Sequence, residues 1–102
     1  MNTLVAVSIA PLGIGDELAK EVAQIVQVIR QSGLPCKTSA MYTEIEGEWD
    51  EVMAVIKQAT MVLTNKGIRT MVSIKADIRP GHKGTMISKL EHLEAAMEQT
   101  DE

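Results

Sequence analysis

The sequence predicts an α+β fold: a four-stranded antiparallel sheet with helices on one face and a further helix at the C-terminal end. Three observations carry this. Two segments change from strand-like to helix-like hydrophobic period, residues 36–48 between them alternate polar and apolar with no room for a helix, and a long strand pattern precedes a last helical one. The 102 residues, 45% hydrophobic and 24% charged, suit one compact domain over residues 1–102 with one core.

Residues 3–10, TLVAVSIA, are apolar or β-branched at nearly every position, as a central strand requires, and Pro11 and Gly13 end it. Asp16 then serves as an N-cap, and Leu18, Val22, Ile25 and Ile29 recur at helical spacing as far as Ser32-Gly33. The stretch CKTSAMYTEIEGE, residues 36–48, reads as two short strands reversing near Met41-Tyr42. Asp50 is the expected cap of a second helix whose stripe is Val52, Val55, Ile56, Ala59 and Leu63, ended by Asn65 to Gly67. Ile68 to Arg79 follow as a long strand. After Pro80-Gly81, Thr85 is expected to cap a third helix carrying Ile87, Leu90, Leu93 and Met97. The order is βαββαβ plus a terminal helix, the ferredoxin-like arrangement.

Period two divides the last strand. Thr70, Val72, Ile74, Ala76 and Ile78 share the face expected to meet the helices; Met71, Ser73, Lys75, Asp77 and Arg79 share the other, which is expected to stay bare. A small single-layer sheet with one bare face gains from covering it, so a homo-oligomer, dimer or tetramer, is expected through the sheet. Asp77 and Arg79 are assigned to that interface.

Several function classes are disfavoured. A net charge of −4 with no basic cluster argues against a nucleic-acid partner and permits a cationic small molecule. The apolar run from Thr3 to Ile14 is too short to span a bilayer and has no basic flank, so a cytoplasmic protein with no membrane partner is expected. The single Cys36 has no internal disulfide partner or CxxC spacing, and His82 and His92 have no metal-ligand spacing to it or to each other. GIGD, at Gly13 to Asp16, puts an acid at a helix start and so rejects a phosphate loop. No nucleophile-base pair or carboxylate dyad appears, and no cofactor is indicated. Met53, Met61 and Met97 read as core filler.

Three segments carry a resemblance: SIAPLGIG from Ser8, MYTEIEGEWDEVM from Met41, and SIKADIR from Ser73. In this order and spacing the chain resembles the small YkoF-like thiamine-binding proteins over essentially its whole length. The resemblance implies a ferredoxin-like fold, assembly through the sheets into dimers and tetramers, and binding of thiamine or its pyrimidine moiety with no known reaction. An aminopyrimidine needs hydrogen-bond acceptors and a donor on a flat apolar slot, and the groups offered are Ser8, Ser39, Thr43 and Glu46. The thiazolium cation favours an aromatic face, for which Tyr42, beside Met41 at the strand reversal, is preferred to Trp49, expected to close on Met53 as a helix staple. Thr43 and Glu46 fall on opposite sheet faces, so they share a pocket only if the strand end twists. The function implied is a non-catalytic binder acting as carrier, buffer or sensor. The alternatives are a small oligomeric enzyme using His82 or Glu46 for proton transfer, and a structural assembly module.

Overall fold

The structure is a computed structural model and describes residues 1–13 and 19–100. Its elements are β1 (Asn2–Pro11), α1 (Ala19–Gln31), β2 (Cys36–Thr38), β3 (Thr43–Glu48), α2 (Trp49–Thr64), β4 (Thr70–Ile78) and α3 (Thr85–Thr100). The expected cap Asp16, together with Leu18, Gly15 and the rest of residues 14–18, lies outside the described residues.

The four strands form one antiparallel sheet in the order β2-β3-β1-β4. Val5 pairs with Ile45 on one side and Ala76 on the other, and Val7 pairs with Thr43 and Ile74. Directly paired residues share a face, so this register puts Thr3, Val5, Val7, Thr43, Ile45, Val72, Ile74, Ala76 and Ile78 on one side. Helices α1 and α2 pack there. Val5, Val7 and Ile45 meet Ile25 and Ile29 of α1 and Val52, Val55, Ile56, Ala59 and Leu63 of α2 in the buried core. All five expected stripe residues of α2 are buried, whereas Val22 of α1 is exposed.

The reversal between β2 and β3 falls on Ala40-Met41, where Ser39 N–H donates to Tyr42 O at 2.9 Å. No glycine is needed, because no non-glycine residue among those described adopts a positive φ.

Four expectations are corrected. Asp50 does not cap α2. Glu48 holds that position in extended conformation without a side-chain cap bond, and Asp50 and Glu51 lie in the first turn, where acids complement the helix dipole. The helix-side face of β4 is only partly covered: Val72 packs against the core, but Ile74 and Ile78 are 45% and 37% exposed. β4 is an edge strand lying beside β1 and away from β2 and β3, and the core reaches it at Val72, whose β1 partner Ile9 also packs there. Met61 and Met97 are exposed and do not fill the core, unlike Met53, which packs against it.

The start of α3 also departs from expectation. Thr85 is not its cap, because the first helical bond runs from Ser88 N–H to Gly84 O and makes Gly84 the capping residue. Nor does α3 start over a bare surface. Its first turn is fastened to the sheet face opposite α1 and α2, and its apolar residues Ile87, Leu90, Leu93 and Met97 are all exposed, none below 49%.

Candidate functional site

The face opposite α1 and α2 carries Leu4, Ala6 and Ser8 of β1, Glu44, Glu46 and Glu48 of β3, and Ser73, Lys75 and Asp77 of β4, as the strand register requires. A groove of about 620 Å³ lies there. Its floor is Leu4, Ala6 and Ser8; Glu44 stands on the β3 side, and Ser73, Lys75 and Asp77 on the β4 side. Met41 and Tyr42 of the β2–β3 turn also line it, as does Lys89 of α3. The volume is in the range of small-molecule sites, roughly 300–1,000 Å³.

The groove combines apolar floor, one aromatic side chain and both signs of charge. Ala6 is paired with Glu44 on one side and Lys75 on the other, so an acid and a base flank the smallest floor residue. Lys89 forms an ion pair with Asp77, and this contact holds the Asp77 carboxyl below its ordinary range. The charged groups lining the groove are two acids and two lysines, so it is not the acidic slot that net charge alone suggests.

A second, smaller hollow of about 200 Å³ lies at the same end of the sheet, beneath α1. Val22, Ile25, Val26 and Ile29 cover it, and Thr38, Ser39, Ala40 and Thr43 close its side. It exists because β3 begins at Thr43, opposite Val7, whereas β1 runs on to Pro11 without a β3 partner. Ser8, Met41 and Tyr42 line both cavities, and so form the wall between them.

Five of the six residues singled out from sequence therefore gather at one end of the sheet. Ser8, Met41 and Tyr42 reach both cavities, while Ser39 and Thr43 reach only the smaller one. Glu46 lines neither. The residue is 4% exposed, with Oε2 accepting from Thr85 N–H and Asn2 Nδ2 at 2.7 Å each and Oε1 accepting from Met86 N–H at 3.0 Å. Burial opposes its ionisation, but the bonds from Asn2, Met86 and Thr85 together outweigh that and hold its carboxyl below the ordinary value. It is neither an exposed strand carboxylate nor directed at the groove. Glu44, Lys75 and Lys89 were not singled out from sequence. Glu44 and Lys75 follow from the same face assignment as Ala6, whereas Lys89 enters only through the docking of α3.

Trp49 begins α2 and is partly exposed, and its backbone N–H donates to Met1 O at 3.1 Å. His82 and His92 are both exposed. Among the described residues no helix is long and apolar enough to cross a membrane.

Comparison with known proteins places this geometry in a family. Residues 5–94 match the family described as thiamine-binding protein. A UPF0045 protein of Mycobacterium bovis is 42% identical over 95 residues, spanning 92% of this chain and 93% of that one. The crystal structure of a hypothetical protein from Methanocaldococcus jannaschii superposes with a TM-score of 0.82 at 32% identity, covering 91% of this chain and 96% of the other. A Thermotoga maritima structure, provisionally assigned to thiamine biosynthesis or salvage, shares the fold with a TM-score of 0.73 at 18% identity, covering 88% of this chain and 99% of the other. With a matching ferredoxin-like sheet and a match across most of its length, the chain belongs to the thiamine-binding protein family.

Proposed function

We propose that this protein binds thiamine or a related hydroxymethylpyrimidine in the groove on the open sheet face, without catalysing a reaction, as a carrier, buffer or sensor. The supporting observation is the convergence, in a member of this family, of Tyr42, Ser8 and Glu44 on one groove of suitable volume. Each group has a part in this reading. The Glu44 carboxylate accepts from the exocyclic amino group, the Ser8 hydroxyl serves a ring nitrogen, and the Tyr42 ring meets the thiazolium face, while Met41 supplies a pliable apolar contact. The smaller hollow behind them, with Ser39 and Thr43, takes a substituent reaching past Tyr42. Glu46 acts from outside the groove.

The working form is a cytoplasmic homo-oligomer, dimer or tetramer. The unpaired β4 edge bears exposed Met71, Ile74 and Ile78, and α3 bears a further exposed apolar row; both are surfaces that a second copy would cover.

Calorimetric titration with thiamine, the free hydroxymethylpyrimidine and the thiazole alcohol tests the reading. The parent is expected to bind the first two with one site per chain, to release them chemically unchanged, and to lose affinity on Tyr42→Ala. Absence of heat with both, or turnover of either, would refute it.

A further inference from the structure

The seating of α3 links a buried carboxylate to the wall of the groove. Glu46 and Asp77 flank Leu4, to which both are paired across β1. From one side Glu46 takes the first N–H groups of α3; from the other Asp77 takes the ammonium of Lys89. Thr85 and Lys89 are four residues apart, hence on one helix face a single turn apart, and this face is the one turned to the sheet. Thr85 is 5% exposed. Past this turn, residues 89–99 are exposed, and Lys89 is the α3 residue that lines the groove.

We propose that Glu46 is a positioning residue for the ligand groove: by holding the first turn of α3 against the sheet it delivers Lys89 to the groove wall, so that ligand affinity depends on a carboxylate outside the site. The proposal rests on the groove reading above for its binding arm only. A carboxylate is suited to this task. A helix start presents several unpartnered N–H groups and a partial positive charge, and a fixed anion from another element satisfies both at once. Gly84 at the cap has no side chain to do so, and Asn2, the third donor on Glu46, steadies the carboxylate from β1. Lys89 then closes the groove beside Asp77, where its ammonium is available to an acceptor on the ligand.

Two measurements on the full chain decide this. The first needs no ligand: backbone amide exchange is followed in the parent, in Glu46→Gln and in Lys89→Ala. In Glu46→Gln, exchange at Ser88 to Leu90 should accelerate on the order of tenfold or more, the equivalent of one lost charged hydrogen bond, with α1 and α2 unchanged. Unchanged exchange in α3 would overturn the proposal, as would faster exchange throughout the chain. The second is calorimetric titration with thiamine of the parent, both single variants and the double variant. The two singles should weaken binding by similar factors, and the double variant by no more than the larger single, because both act through Lys89. Losses that multiply would show Glu46 touching the ligand itself and overturn the proposal, as would parent-like binding by Glu46→Gln. If the parent binds no thiamine, the groove reading falls and the binding arm with it, while the exchange result still decides whether Glu46 holds α3.

Discussion

Ile45 and Ile74 both face the helices from the sheet, yet one is 0% and the other 45% exposed, so the same substitution at each measures the packing directly. Ile45 lies at the centre of the core, paired with Val5 and Cys36. Truncation to alanine removes about three methyl or methylene groups, worth roughly 0.8 kcal/mol each in transfer, and leaves a cavity that α1 and α2 cannot fill without shifting; the total should be about 2–5 kcal/mol. Against a stability of about 5–15 kcal/mol this is a large fraction, and at roughly 4–8 °C per kcal/mol it lowers Tm by some tens of degrees at the upper end. Ile74 has about half as much of its surface removed from water and its truncation opens no enclosed cavity, so Ile74→Ala should cost about 1 kcal/mol. Urea unfolding of the parent and both variants, at two protein concentrations, gives the comparison. If Ile74 is covered by a second copy, its cost grows at the higher concentration while that of Ile45 does not. Equal costs at both positions, independent of concentration, would refute the assignment of β4 as an edge outside the main core.

Three further outcomes are expected. Glu46 has a folded carboxyl pKa below its ordinary 4.5, so its contribution to seating α3 is complete above about pH 4.5 and is lost as the pH falls through the lower folded value. Protection of the first-turn amides of α3, taken relative to the intrinsic exchange rate at each pH, should therefore fall as the pH drops below 4.5 in the parent and show no such step in Glu46→Gln; a loss of protection on raising the pH toward 7 would contradict this sign. Ala6→Leu builds a larger side chain into the groove floor on the open face, so thiamine binding should fall at least about tenfold, whereas the stability to unfolding changes by no more than an ordinary surface substitution does, about 0.5 kcal/mol; unchanged affinity would take the ligand out of the groove. Ile74→Glu charges the exposed β4 edge and should shift the sedimenting species toward monomer at micromolar concentration; a parent that already sediments as a monomer would remove the oligomer from the account.

The fold was legible where burial follows period. The alternations of β1 and β4 give the observed faces, and the stripe of α2 is buried at all five positions because that helix crosses the middle of the sheet. Legibility fails where long-range placement decides. Val72, Ile74 and Ile78 share one period and one edge strand, yet Val72 packs against the core while the other two are exposed, so how far the core reaches along β4 decides, not strand pattern. The apolar residues of α3 follow helical spacing as well as those of α2 do, yet they face outward, because a hydrophobic row does not identify what it packs on. Capping shows the same limit. Thr85 and Asp50 are good caps by residue type, but Gly84 and Glu48 hold those positions, and the groups at the start of α3 are satisfied by Glu46, 39 residues away. In the candidate site, Ser8, Met41, Tyr42, Ser39 and Thr43 converge because the strand reversal returns the chain beside the end of β1. Lys89 joins them through α3, and nothing local to residues 85–100 indicates where that helix docks.

Mapping amide chemical shifts during a thiamine titration locates the ligand on this protein without presuming its contacts. With thiamine in the groove, saturable shifts are expected at Ala6, Ser8, Tyr42, Glu44 and Lys75, extending to Lys89 of α3, with the core amides of Val55, Ile56 and Ala59 in α2 unmoved. Shifts confined to α1 and α2, or none at saturating thiamine, would contradict binding there.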